Sequence, residues 1–390
     1  MNSIFTPCSI GSKKALNRFA VQAMESNDAG PGGTVSSRAI ERYKTLARGG
    51  WGIIVVEALS VTQQSMARRH GMIIKEKNLD GFKRLVQAVK TINPDCVLLF
   101  QITHAGRNSN PGFGEKVRIC PQGPEDSRYL SADEIQRIAD LFVTAACLAR
   151  KAGADGVDLK MCHGYFGAEM LRPENTREDE WGGPFENRTR FLKECVKAIQ
   201  SECSANDFVL GSRISLYEGI RGGCGTAGPD ELVEDLTEML DVIRLLHTLG
   251  MQVVNVSAGI PGVTSELTRP VKGSRHLTLA HLRYTKTVKD TLNAIQSGMR
   301  VIASAFSVLQ REGVERADEM LRKEYTDFTG WGRQSFADPL LPEKLLNNRE
   351  VNWCTACSRC SKLMLAQYHD GCALYDPYYK ELYRQMRKRQ

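Results

Sequence analysis

Apolar positions in this chain come in two rhythms that take turns. Short, dense runs read as strands: Phe19–Gln22, Trp51–Ala58, Cys96–Gln101, Ala154–Lys160, Phe208–Ile214, Val253–Val256, Met299–Ala303 and the very short Asp327–Thr329. Between them, apolar residues three or four apart predict helices. These run over about Ser36 to Arg48, Leu79–Ile92, Ser131–Lys151, Phe185–Cys203, Pro229–Leu249, Leu277–Gln296, Gly313–Lys323 and Gln334–Leu346. Two helix starts carry signals of their own. Ser131-Ala132-Asp133-Glu134 reads as a capping box, and the helix at Pro229 opens on proline and acids. Strand and helix in strict alternation, eight times over, predict an α/β protein: a (β/α)8 TIM barrel with a C-terminal Cys-rich extension. An open doubly wound sheet is the alternative, but no G-x-G-x-x-G follows the first strand.

Composition narrows the picture. A chain of 390 residues, 42% hydrophobic, buries a large core and exceeds a typical small domain. The barrel is expected over residues 1–348, followed by a segment over 349–390 with four cysteines and a terminal helix. The net charge of +7 is modest, and much of it sits in the last helix, which ends Arg387-Lys388-Arg389. No basic block is interleaved with aromatics, which speaks against nucleic acid. A slightly positive surface suits an anionic small molecule. No apolar run reaches transmembrane length, and the opening MNSIFTPCSIGSKK has no signal-peptide core. Twelve cysteines without an export signal predict a reducing cytoplasm, with thiols buried or on metal and not in disulfides.

Chemistry gathers where strands end, which is where such barrels build their sites. The fourth strand reads as half-buried, with Asp158 and Lys160 on one face. It runs into a polar loop holding Lys160, His163 and Tyr165: a cation or base, a group that titrates near neutrality, and a phenol. The first strand ends in Gln22, Ala23, Met24 and Glu25. After the last two strands come Ala303-Ser304-Ala305 and Gly330-Trp331-Gly332-Arg333. Small residues, a helix N-terminus and an arginine make a phosphate cradle there.

Beyond the barrel, Cys354, Cys357, Cys360 and Cys372 are spaced C-x2-C-x2-C-x11-C. Four thiolates, three of them in one loop, suit a [4Fe–4S] cluster. A structural zinc site is the runner-up, although zinc more often uses two C-x2-C pairs.

Taken together, the motifs resemble a family. They are Asn17-Arg18, Gln101 with His104-Ala105-Gly106-Arg107, His163-Gly164-Tyr165, and Arg177 with Trp181-Gly182-Gly183 and Glu186-Asn187-Arg188. Arg213 and Gly332-Arg333 with Asp338-Pro339 complete the set. The chain, from about residue 4 to 375, resembles the old yellow enzyme group, or NADH:flavin oxidoreductases. It is most similar there to the barrel and iron–sulfur segment of 2,4-dienoyl-CoA reductase and trimethylamine dehydrogenase. The resemblance implies FMN. Gln101 would bond the flavin pyrimidine, and Arg213 would stand by its N1–C2=O edge. Gln22, Ala23, Met24 and Ala58 would line the ring, and Ser304, Gly332 and Arg333 would hold the phosphate. Tyr165 would protonate the substrate, while Lys160 and His163 grip its carbonyl. The family usually has histidine at the position of Lys160, and a smaller polar residue or histidine at Glu25.

The resulting expectation is reduction of an activated C=C by hydride from reduced FMN. In the similar proteins a flavin or nucleotide-binding domain follows the cluster, whereas this sequence ends at Gln390. Electrons are therefore expected from a separate electron-transfer protein or directly from NAD(P)H, and a homo-oligomer is left open. Three rivals stand beside this reading. One is an amine or alcohol dehydrogenase using the same flavin. Another is a Schiff-base aldolase or lyase using Lys160. The third is a scaffold barrel carrying structural zinc.

Overall fold

The computed structural model describes residues 3–203 and 207–389. Its centre is a closed barrel of eight parallel strands in chain order. They are β1 Phe19–Val21, β2 Ile53–Ser60, β3 Val97–Thr103, β4 Gly156–Met161, β5 Val209–Ser215, β6 Val253–Ser257, β7 Arg300–Ala303 and β8 Phe328–Trp331. β8 pairs back onto β1 through Thr329↔Phe19 and Trp331↔Val21, which leaves no sheet edge. The outer ring holds α1 Ser37–Arg48, α2 Leu79–Ile92, α3 Ala132–Lys151, α4 Arg190–Glu202, α5 Thr237–Thr248, α6 Leu277–Ala294 and α7 Arg311–Arg322. The expected (β/α)8 barrel is the fold. No described helix is long and apolar enough to cross a membrane.

The barrel has two cores because each strand buries both faces. Along β4, Val157, Leu159 and Met161 pack outward with the helices. Asp158 and Lys160 point the other way, and all six residues of the strand are buried. This corrects the half-buried reading of β4: its charged positions face the barrel interior, not solvent. At the N-terminal end an antiparallel hairpin, Cys8–Ile10 with Lys13–Ala15, closes the floor. Its Cys8, Ile10 and Ala15 join Ile53, Val97, Val253 and Phe328 in the inner core. With the floor sealed, only the C-terminal end is open for chemistry.

Three helix expectations are corrected. The helix expected from Pro229 begins at Thr237. Residues before it fold back instead, with a bridge between Thr226 and Glu234 and a hydrogen bond from Gly222 N to Glu231 O. Phe185–Cys203 divides into Phe185–Arg188 and α4, because Arg188 turns inward to bond Leu171 O and Gly183 O. Gln334–Leu346 divides into α8 Arg333–Ala337 and α9 Leu341–Leu346. Asp338, ahead of Pro339, takes an extended conformation, as residues before proline do. The chain ends in α10 Arg359–Leu365 and α11 Pro377–Lys388, packed together through Leu363, Ala373, Tyr379 and Met386.

Candidate active site

The loop after β4 is shaped by backbone that few side chains adopt. His163 sits at φ 64° and Gly164 at φ 67°, two left-handed residues in succession. Buried Glu218 secures the turn by accepting from Gly164 N at 2.8 Å and from Arg172 Nε at 2.7 Å. Arg107 plays the same part from the loop after β3, reaching Glu169 Oε1 at 2.6 Å. Arg177 bonds the carbonyls of Leu130 and Ile119, and Asn175 those of Met170 and Trp181. The H-A-G-R and W-G-G-x-x-E-N-R residues thus brace the loops and stand outside the cavity they frame.

That cavity opens at the C-terminal ends of the strands. Gln22, Ala23, Met24, Lys160, His163, Tyr165, Arg213, Ser304, Gly332 and Arg333 all line it. The structure therefore brings together most residues the sequence singled out. Two stand apart. Gln101 lies in the barrel interior, where its Nε2 donates to Asp158 Oδ2 at 3.1 Å. Ala58 faces a smaller adjoining cavity behind Tyr165 and Arg68.

Glu25 is the hub of one wall. Its Oε1 accepts from Lys160 Nζ at 3.1 Å and from Tyr165 Oη at 3.2 Å. Its Oε2 lies 2.8 Å from Arg68 Nε, an ion pair. Burial alone would raise the Glu25 carboxyl, but Lys160 and Arg68 overcome it and hold the group at about 2. Burial pulls the Lys160 ammonium down, and Tyr165 and Glu25 more than restore it, so its pKa rises. The ammonium also lies 3.4 Å from the centre of the Tyr165 ring. A lysine held charged suits gripping an oxygen and opposes the free amine that Schiff-base chemistry needs. Tyr165 is raised by burial and by Glu25, so it keeps its proton. His163 is pushed well below its usual value by burial, with Arg213 and Lys160 adding to the effect. It is a neutral ring whose Nε2 meets Ser257 Oγ at 2.7 Å.

The opposite wall centres on Arg213, which feels Asp158 from within the barrel but makes no close ion pair with it. Arg213 Nη1 donates to Gln22 Oε1 and Nη2 to Ser257 Oγ at 3.2 Å, while Nε has no partner. Burial lowers its pKa, and no carboxylate forms an ion pair with it among the described residues. Arg333, buried at the start of α8, donates to Pro270 O at 2.5 Å. Arg68 and Arg269 also line the cavity, and neither was singled out from the sequence. Arginines in loops of mixed composition carry no spacing signal that could have found them.

Cys354, Cys357, Cys360 and Cys372 border one small surface cavity beside Arg333. Ala356 at φ 53° and Ser358 at φ 59° give the cysteine loop two left-handed turns. Burial raises the Cys354 and Cys372 thiols and pushes Cys360 to about 12. Among the described residues no three His, Cys, Asp or Glu side chains converge closely enough to hold one metal ion. The remaining cysteines behave as packing thiols; Cys162 is fully buried and raised to about 12 by that burial.

Comparison with known proteins agrees with this geometry. An NADH oxidase of Thermoanaerobacter brockii is 30% identical over 368 residues, covering 91% of this chain and 53% of that protein. An NADPH dehydrogenase of Clostridium acetobutylicum is 28% identical, covering 90% of this chain and 97% of that protein. The chain thus spans about half of the first relative and nearly all of the second. Among solved structures, a 2-naphthoyl-CoA reductase complex shares the fold with a TM-score of 0.81 at 22% identity. That match covers 98% of this chain and 58% of the other. The family model for the NADH:flavin oxidoreductase / NADH oxidase family matches residues 3–352. The chain belongs to that family of FMN-dependent oxidoreductases.

Proposed function

We propose that this chain binds FMN in the cavity above the barrel and reduces an activated C=C bond of the enone, enoate or dienoyl type. The observation that carries the reading is the cavity wall itself. Arg213 is half-buried there with a buried, unpartnered Nε, and lines the same cavity as Lys160, His163 and Tyr165. A guanidinium donor held out of water without a partner is costly unless a bound group answers it. The residues fit FMN. Arg333, Ser304 and Gly332 suit the phosphate, and Arg213 with Gln22 suits the pyrimidine edge. Ala23 and Met24 offer apolar contact to the ring. Gln101 would need to reach past Asp158, and Ala58 would act from behind Tyr165 and Arg68.

FMN, when bound, supplies a carrier of two electrons and a hydride. The protein's share is binding and proton handling. Arg213 favours negative charge at the pyrimidine edge. Lys160 and neutral His163 hold the activating oxygen of the substrate. Tyr165 donates its phenolic proton to the α-carbon, while Glu25 and Lys160 fix the ring. NAD(P)H is the electron source, with a separate electron-transfer protein as the other route. That second route would run through a [4Fe–4S] cluster held by Cys354, Cys357, Cys360 and Cys372. The shared cavity of the four thiols supports the cluster, with zinc as the competing occupant.

One experiment tests both centres: an absorbance spectrum of protein purified without oxygen, with iron and sulfide assayed on the same sample. Flavin bands on a broad shoulder with about four irons per chain support both. Flavin without iron retains the barrel chemistry and withdraws the cluster. A colourless chain that takes up no added FMN overturns the reading. With FMN loaded, Tyr165→Phe should slow reoxidation of the reduced protein by an alkene by about 10²- to 10⁴-fold. Reduction by NAD(P)H should proceed at the normal rate.

A further inference from the structure

We propose that Asp158 is a second proton site of the redox cycle: it takes up a proton when negative charge arrives beside Arg213 and gives it back when that charge leaves. The inference rests on the FMN reading above and adds a residue that proton transfer from Tyr165 does not use. Asp158 lies on β4 inside the closed barrel and is 3% exposed, with the floor of the barrel sealed by the N-terminal hairpin. Its Oδ2 accepts from Gln101 Nε2 at 3.1 Å, and its Oδ1 has no hydrogen-bond partner. The two cations that act on it are engaged elsewhere. Arg213, on the neighbouring strand β5, bonds Gln22 and Ser257, and Lys160, two residues along β4, pairs with Glu25. Gln101 on β3, Arg213 and Lys160 all favour the carboxylate, but burial outweighs them and lifts the group from near 3.8 to about 6. The Cys162 thiol, the other titratable group that senses Asp158, is held neutral by burial at about 12.

This placement makes Asp158 responsive to the charge on its neighbour. Reduction of FMN by hydride brings two electrons and one proton, and leaves one negative charge that Arg213 is suited to hold. In a water-poor interior that charge is felt at Asp158, and a carboxylate facing a new anion binds its proton more tightly. One O–H bond therefore forms on Asp158, with the proton drawn from water at the open end of the barrel, and the net charge of the site stays constant. When the alkene takes the hydride and Tyr165 supplies the second proton, that O–H bond breaks and the proton returns to water. The sign fixes the pH window. With FMN oxidised, Asp158 is mostly ionised at pH 7; with FMN reduced, its pKa moves up and it is protonated. Below about pH 5 both states carry the proton and the uptake disappears.

The test reduces the full FMN-loaded chain electrochemically, without oxygen, in weakly buffered solution, and reads proton uptake from a pH indicator. At pH 7 the wild type should take up at least about half a proton more per flavin than Asp158→Asn, and the difference should vanish by about pH 5. Between those limits the flavin potential of the wild type should fall about 30 mV more per pH unit than that of the variant. That is the value of a tenfold change in proton concentration for a two-electron couple. A purely structural Asp158 would change stability or FMN affinity and leave proton uptake as it was. Should Asp158→Asn fail to fold, the wild type labelled with carboxyl-13C aspartate decides the matter. Its infrared difference spectrum on reduction should gain a protonated-carboxyl band that moves with the label. Equal uptake by wild type and variant, or a difference spectrum without that band, in a chain that holds FMN overturns this inference and leaves the flavin reading intact. A chain that takes up no FMN removes both.

Discussion

Two sets of buried and half-buried arginines stand within one domain and are treated in opposite ways. Behind the active loop, Arg107 meets Glu169, Arg172 meets Glu218 and Glu174, and Arg177 meets Asp179. Within the cavity, Arg213 and Arg269 hydrogen-bond only to neutral groups. Burying a charge is tolerable when its partner is built in, and costly when the partner is missing. The braced set therefore reads as architecture. The bare set reads as a binding site, whose free donors cost stability and hold a ligand.

The comparison breaks first at Glu218. Glu218→Ala would leave the Arg172 guanidinium with Glu174 as its one ion-pair partner among the described residues and release Gly164 N and Cys224 N in one step. Removing one partner of a buried pair costs about 3–5 kcal/mol. Denaturant unfolding should show that loss, with the variant near the edge of folding. A loss below about 1 kcal/mol would mean that the loop is held by its packing alone.

Glu25 sits between the two sets, being paired yet within the cavity. Its folded pKa of about 2 lies below its ordinary value near 4.5. A depressed carboxylate adds stability that is fully present above its unfolded pKa and is lost as pH falls toward the folded one. The term is on the order of 3 kcal/mol. Unfolding of wild type and Glu25→Gln should differ most above pH 4.5 and converge as pH falls toward 2. A gap that stays constant across that range would show that the ion pairs with Lys160 and Arg68 do not form in solution.

Arg213 sharpens the contrast from the other side. Arg213→Met removes a half-buried charge that makes no close ion pair, so stability of the FMN-free chain should change by less than about 1 kcal/mol or rise. Affinity for FMN, and the potential of bound FMN, should both fall. A large loss of stability without any effect on flavin would class Arg213 with the braces.

The same contrast explains what the sequence disclosed. The barrel was legible because alternation of strand and helix is written in local spacing. The cavity residues at strand ends were legible because topology places them: once β4 and β5 are strands, Lys160 and Arg213 must lie at the mouth. Helix boundaries were less so. Pro229 followed by acids imitates a helix start, yet the glycines of 222–228 let the chain fold back through Thr226 and Glu234. Arg68 and Arg269 were invisible because each reaches the cavity from a loop, where no period links position to direction. Gln101 was expected at a strand end, but β3 continues to Thr103, and Asp158 on the neighbouring strand claims its amide, a contact that spacing alone does not reveal.

The smallest expected effect lies at the surface, and it tests whether pairing or burial is the deciding variable. Arg128 has better ion pairs on paper than most of the braces: Glu115 at 2.7 Å and Glu134 at 2.8 Å. Its side chain is 46% exposed, however, so water already solvates the charge it would leave behind. Exposed pairs contribute about 0–1 kcal/mol and are screened by salt. Glu134 keeps its second duty after the substitution, since it caps α3 together with Ser131. Arg128→Ala should therefore cost less than about 1 kcal/mol, and less still at 0.5 M salt, where the Debye length is a few ångströms. A cost approaching that of Glu218→Ala would show that pairing geometry outweighs desolvation. The unpaired state of Arg213 and Arg269 would then no longer single out the cavity as a binding site.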